Sequence, residues 1–178
     1  VSKHILILTG QRGVGKTTVC RQVVAQAQAA GFACGGLLTP NLDGSDQRVV
    51  VDVRSGESRP LTTNDGEITL GRFRFDPAAL EWGTQRLADA VPCDLLVVDE
   101  IGPLEIERQQ GWSLALDLLR GHQFRLALVV VRPELIEAVQ MRLPTSAPTV
   151  VTVTPDNRDL LPVELADLLK REAATMSS

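Results

Sequence analysis

Aromatic residues make up only 3% of this 178-residue chain, and there is no Tyr at all. An aromatic platform on which single-stranded bases stack is therefore not expected. Positive charge is also in short supply. Lys and Arg together number 18 against 22 Asp and Glu, a net charge of −4. A protein whose task is coating nucleic acid needs a basic face to neutralise phosphates, so nucleic acid is an unlikely partner. Long apolar runs are missing too. Leu126–Val131 is typical of the longest, far short of the roughly 20 residues that span a bilayer, so no membrane association is expected. The chain enters a strand-like run at Val1–Ile5, which leaves no room for a signal peptide, and a cytoplasmic location follows as the expectation. Cys20, Cys34 and Cys93 are three widely separated cysteines with no C-x-x-C pair. They read as reduced, mostly buried thiols and not as a metal or redox centre.

What is present is ordinary for a globular α/β protein: 44% hydrophobic and 22% charged residues, in a chain the size of one domain, 1–178. No repeat, linker or interface stripe stands out, so a monomer is favoured and protein partners are not identifiable. Short apolar runs alternate with amphipathic ones. His4–Thr9, Cys34–Thr39, Leu95–Asp99, Arg125–Val131 and Thr149–Val153 read as strands, buried on both faces like those of a mostly parallel sheet. Lys16–Ala30, Pro77–Ala90, Gly111–Leu119, Pro133–Arg142 and a last helix opening near Pro162 read as helices. Val163, Leu165, Leu168 and Leu169 form the inward face of that last helix. Asp76 is placed to cap the helix that begins at Pro77, and Gly31 to end the first one. The stretch 41–76 differs: Asp43–Gly44, Ser55–Gly56 and Asn64–Gly66 are turn signals between short β-rich pieces. It reads as a hairpin-rich insertion into the α/β frame. The tail from Ala173 to Ser178 is expected to fray.

The strongest signal is Gly10-Gln11-Arg12-Gly13-Val14-Gly15-Lys16-Thr17-Thr18, which fits the phosphate-loop pattern G-x-x-x-x-G-K-[ST] and lies directly between a strand and a helix. Shuffling this composition produces the pattern about once in 500 chains, before its context is required. Lys16 is one of only three lysines, beside Lys3 and Lys170, in a chain that otherwise uses arginine. A compact point charge suits a phosphate site. The backbone amides between Gly10 and Thr18 and the helix start bind α- and β-phosphates. Lys16 bridges β and γ, and the Thr17 hydroxyl ligates Mg²⁺.

Leu95–Glu100 is an aliphatic strand ending in two acids. At the carboxyl end of a parallel strand, Asp99 faces the metal held by Thr17, and Glu100, pointing the other way, reaches the water in line with the γ-phosphate. Taken alone the run is weak, since strand-end acids also cap turns. The phosphate loop upstream decides for the catalytic reading.

Four blocks together, Gly10–Thr18, Gly35–Pro40, Asp99–Glu105 and Thr152–Asp159, resemble the small nucleoside-triphosphatases first known from thermophiles, whose vertebrate relatives are called cancer-related nucleoside-triphosphatases. The resemblance covers about residues 4–170, and the late Asn157-Arg158 block makes it far more specific than a phosphate loop alone. It implies a three-layer RecA-like P-loop fold with a β-rich insertion. It further implies Mg²⁺-dependent hydrolysis of ATP, GTP and other nucleoside triphosphates to diphosphates with loose base preference. Departures from the family pattern fall at Asp46–Asp52, Pro103–Leu104 and Arg132–Pro133. They leave the phosphate and metal sites intact and alter the rim.

Further candidates each carry an alternative. Arg158 stacks on a nucleobase with Asn157 beside it, or Asn157 caps a turn and Arg158 is solvated. Arg132 stabilises γ-phosphate charge or is a surface charge ahead of Pro133. Arg12 touches phosphate or points to solvent. Glu105 supports the site or is an exposed helix-start acid. His4 and His122 show no pairing partner and read as ordinary residues. Trp82 and Trp112 read as core packing within helices. The Arg72-Phe73-Arg74-Phe75 alternation reads as a strand before it reads as a nucleic-acid patch. Against the hydrolase stand a nucleotide or small-molecule kinase using the same phosphate site, and a nucleotide-switched binding module.

Overall fold

The computed structural model describes residues 4–42, 45–121, 123–143 and 148–174. The expected Asp43–Gly44 turn, His122 and the end of the tail lie outside them. In chain order the elements are β1 (His4–Thr9), α1 (Lys16–Ala29), β2 (Cys34–Leu38), β3 (Val49–Asp52), β4 (Ser58–Pro60), β5 (Ile68–Leu70) and β6 (Phe73–Phe75). There follow α2 (Pro77–Ala88), β7 (Leu95–Ile101), α3 (Pro103–Ile106), α4 (Leu114–Gly121), β8 (Leu126–Val131), a 3-10 turn (Pro133–Leu135), α5 (Ile136–Gln140), β9 (Thr149–Thr152) and α6 (Leu161–Ala174).

Seven strands form one sheet in the order β4-β3-β2-β7-β8-β1-β9. The five from β2 to β9 are parallel, and β3 and β4 add an antiparallel edge beside β2. Side chains of a strand alternate between faces, so each apolar strand feeds two cores. Ile5 and Ile7 of β1, Leu96 and Val98 of β7 and Val129 of β8 join Leu80, Leu87, Leu116 and Leu119 from α2 and α4 on one face. Leu6, Leu8, Leu95, Val97 and Leu128 join Val19, Val23, Leu165 and Leu169 from α1 and α6 on the other. Leu8, Leu95, Leu96, Leu126 and Leu128 are fully enclosed, each such burial contributing about 2 kcal/mol. The result is helix–sheet–helix in three layers.

Local rules explain the element ends. Asp76 Oδ1 accepts the Ala78 N–H at 2.9 Å and Pro77 opens α2. Where the structure departs from the sequence reading, tertiary packing is the cause. The insertion forms two antiparallel hairpins as expected, and packing decides their place: β3 and β4 extend the edge of the main sheet, whereas β5 and β6 pair by themselves. Gly111 has φ of 59°, which no helix interior accommodates. Trp112 therefore sits in the turn before α4 and not within a helix, although it is buried like Trp82. The expected helix over Pro133–Arg142 is a 3-10 turn followed by a short α5. On α6, Leu165 and Leu169 face the core, whereas Val163 is 54% exposed and not inward. His4 is not partnerless: its Nε2 lies 3.1 Å from Glu172 Oε1 on α6.

The cysteines are free, Cys20 and Cys34 buried and Cys93 half-buried. Burial pushes the thiols up, Cys34 to about 11 and Cys93 to about 12, so thiolate chemistry is suppressed. Among the described residues no helix is long and apolar enough to cross a membrane.

One glycine sets how closely β2 approaches β7. Gly36 has φ of 114°, and a side chain there would press into the backbone of Val97 opposite it. Gly36→Ala is expected to lower stability by about 3 kcal/mol, read as a lower urea midpoint at unchanged slope. An unchanged midpoint would mean that the strand pair is not held at this spacing.

Candidate active site

All the strand ends that matter open on one edge of the sheet. β1 leads into the loop at Gly10, β7 ends in Asp99-Glu100-Ile101, β8 is followed by Arg132, and β9 runs toward Asn157. In an open parallel sheet this carboxyl edge is where ligands gather.

Gly10 leaves β1 with φ of 135°, and a Cβ there would lie 2.5 Å from the Val153 carbonyl oxygen. Only glycine lets the loop turn at this place. The Lys16 ammonium folds back over the loop and donates to the Gly10 and Gln11 carbonyl oxygens, both at 2.8 Å. Burial lowers the proton affinity of that amine, while the Glu100 and Asp99 carboxylates oppose the shift. Lys16, Thr17 and Thr18 form the first turn of α1, whose N–H groups have no partner within the helix.

Asp99 is buried to 2% exposure. Its Oδ2 accepts the Thr39 N–H at 3.2 Å, and its carbonyl oxygen accepts the Thr39 hydroxyl at 2.8 Å. The close β2–β7 approach thus fixes the carboxylate that faces Thr17. Burial raises its pKa to about 6 with Glu100 repulsion adding to it, and hydrogen bonds from Thr17 and Thr39 and the charge of Arg48 pull it back. Pairing between β7 and β8 shifts register between Asp99 and Ile101, so Glu100 has no place in the ladder and is re-aimed, as at a bulge.

Glu100 is gripped by two arginines. Its Oε1 lies 3.2 Å from Arg48 Nη1 and 3.1 Å from Arg132 Nη2. Burial alone would raise this acid, but the two guanidiniums outweigh it and hold Glu100 below the usual carboxylate range. Glu105 is not an exposed helix-start acid. It is 6% exposed, with Oε2 accepting the Gly102 N–H at 2.9 Å and Oε1 the Trp112 N–H at 3.1 Å. Burial lifts its pKa to about 7 against those two hydrogen bonds. It braces the turn that follows Glu100.

Apart from Glu105, these groups line one cleft of about 810 Å³. Its wall includes Gly10, Gln11, Arg12, Gly13, Gly15, Lys16, Thr17 and Thr18 from the loop, together with Asp99, Glu100 and Arg132. Arg132 is thus in the cleft and not a bare surface charge. Val14, Asn157 and Arg158 stand beside the cleft and not in its wall. The Asn157 side chain is committed to a turn, accepting from Thr154 N at 2.8 Å and donating to Thr152 O at 2.9 Å. Arg158 Nη1 donates to the Val14 carbonyl oxygen at 3.4 Å, so its half-exposed side chain flanks the loop from outside.

Residues from the insertion complete the rim, and the sequence reading missed them. Arg48 reaches Glu100 from just ahead of β3. Phe73 of β6 lies under three guanidiniums, those of Arg48 at 4.9 Å and of Arg12 and Arg72 at 5.3 Å. Arg12 and Arg72 share Asp46 Oδ1 at 3.5 and 2.9 Å. These exposed pairs add little stability, but they lay the β5–β6 hairpin against the phosphate loop. The only hint in the sequence was the Arg-Phe alternation at 72–75, and spacing along the chain does not say what it touches.

Strand, glycine loop, helix and strand-end acids in this order define a P-loop α/β protein. Residues 5–166 match the family model described as NTPase, and the chain belongs to that family. A similar relative is the nucleoside-triphosphatase THEP1 of Methanopyrus kandleri, 31% identical over 166 residues that cover 89% of this chain and 91% of that protein. The nucleoside-triphosphatase THEP1 of Methanosarcina acetivorans is 30% identical over 173 residues, covering 94% and 97%. In fold, the chain is similar to a human cancer-related nucleoside triphosphatase solved in solution, with a TM-score of 0.68, 24% identity and coverage of 96% and 98%. The crystal structure of THEP1 from Aquifex aeolicus gives a TM-score of 0.65 at 18% identity, covering 93% and 98%.

Proposed function

We propose that the protein hydrolyses nucleoside 5′-triphosphates, ATP and GTP among others, to diphosphate and phosphate with Mg²⁺ as cofactor. The observation that carries this reading is the shared cleft: loop amides and Lys16 on one wall, Asp99 and Glu100 on the other. A triphosphate laid along the loop offers Lys16 acceptors in place of the Gly10 and Gln11 carbonyl oxygens. The γ-phosphorus then faces Glu100. Glu100 orients a water and takes its proton as the new P–O bond forms, and the bond to the bridging oxygen breaks to leave the diphosphate.

Thr17 and Asp99 suit a hard divalent cation, being an oxygen pair joined by a hydrogen bond. Among the described residues no group of three or more His, Cys, Asp or Glu side chains is placed to hold a metal. Such a sparse donor set fits Mg²⁺, which keeps waters and shares substrate oxygens. Bound there, the ion would supply charge neutralisation for the triphosphate.

Base preference is loose in this reading. Arg158 presents a flat, half-exposed guanidinium beside the loop, and stacking accepts any base. The test is a time course of phosphate release from ATP, GTP, CTP and UTP with and without Mg²⁺. Release from all four that stops on chelation is expected. Asp99→Asn is expected to raise the Mg²⁺ concentration for half-maximal rate by about tenfold or more, the loss of one charged contact. No release from any triphosphate, or phosphate appearing only on an added nucleoside, would overturn the hydrolase.

A further inference from the structure

The geometry points to Arg48 as a γ-phosphate-binding residue, contributed by the insertion, that leaves Glu100 for the triphosphate when the nucleotide binds. This rests on the reading above that a triphosphate occupies the cleft.

The backbone of Arg48 is fixed. Its N–H donates to Thr62 Oγ1 at 2.8 Å, and its carbonyl oxygen accepts from Leu61 N at 2.8 Å and Thr62 N at 3.2 Å. From this anchor the side chain, 15% exposed, runs into the cleft with its guanidinium against the Phe73 ring. Arg48 and Arg132 converge on the one Glu100 oxygen. Both line the same cleft as Lys16, so a γ-phosphate held by Lys16 comes to lie beside them. The Arg48 Nε is buried with no hydrogen-bond partner, a costly state for a charged donor.

Each guanidinium meets Glu100 through a single bond to the same oxygen. A γ-phosphate has three oxygens and more charge, and guanidinium groups pair with it through paired N–H bonds. Its arrival gives Arg48 and Arg132 a better partner and frees the Glu100 carboxylate to accept a proton. A diphosphate lacks that group and leaves the clamp closed. Arg48 therefore distinguishes triphosphate from diphosphate, and the Phe73 contact couples that choice to the β5–β6 hairpin. A purely structural Arg48 would instead anchor the hairpin and affect both nucleotides alike.

The test compares binding of ADP and of the non-hydrolysable imido analogue of ATP, with ATP turnover alongside, for wild type, Arg48→Ala and Arg48→Lys. Arg48→Ala is expected to weaken analogue binding by about tenfold, one charge-assisted contact, with ADP affinity within twofold of wild type. Turnover is expected to fall about a hundredfold, and Arg48→Lys to recover part of both losses. The unchanged ADP affinity also reports an intact fold. If Arg48→Ala does not fold, Arg48→Gln takes its place in the same comparison. Equal loss for both nucleotides, or an unchanged preference with normal turnover, overturns the assignment. A wild type that binds neither nucleotide and releases no phosphate brings down the hydrolase reading first, which is a different result.

Discussion

Glu100→Gln is expected to bind triphosphate as tightly as wild type and to release phosphate about a thousandfold more slowly, the usual worth of a positioned general base. The exchange keeps the shape of the side chain and an oxygen that can accept from Arg48 or Arg132, whose bonds of 3.2 and 3.1 Å to Oε1 now hold the carboxylate. It removes the proton acceptor. Single-turnover phosphate release separates this effect from binding. The two arginines hold the acid in its ionised form at neutral pH, so a carboxylate and not a neutral acid is in place when the nucleotide arrives. A Gln variant that turned over normally would show that water is activated elsewhere, for example by the phosphate itself.

Lys16→Ala should abolish measurable hydrolysis, a loss of about a thousandfold or more, and should weaken triphosphate binding as well. Lys16 is the one ammonium on the loop wall, and two carbonyl oxygens at 2.8 Å hold it in place. Removing it leaves those carbonyls without their donor at the wall of the cleft. Arginine is no substitute, because a planar fork does not fit where a point charge is held between two carbonyls. Calorimetric titration alongside phosphate release checks both losses. The substitution is not expected to unfold the protein, since Lys16 takes no part in either apolar core. Hydrolysis persisting at wild-type rate would mean that the triphosphate does not lie along this loop.

Much of the fold was legible from the chain because its signals are local. A run such as Leu126–Val131 can only be a strand buried on both faces, and its alternate residues do feed two cores. Asp76-Pro77 announces a helix start through one side chain and one ring. The loop from Gly10 to Thr18 combines glycine geometry with a lysine whose type is rare in this chain. The misreadings came where long-range packing overrides a local pattern. Val163 fits the helical repeat yet faces outward. Gly111 bends the chain where the pattern reads helix.

The sequence by itself determined the layered α/β plan, the phosphate loop and the acid pair at the end of β7, because each is written within a few consecutive residues whose backbone geometry decides their use. Only the tertiary structure decided which arginines meet Glu100, that Glu105 is buried against two amides, and that the insertion brings Phe73 and Arg48 to the rim. Arg48 lies just ahead of β3 and Glu100 lies in β7, with α2 between them in the chain, and the sheet order β3-β2-β7 sets how near they come. That order is the outcome of packing the whole apolar core, so no local reading of either residue contains it.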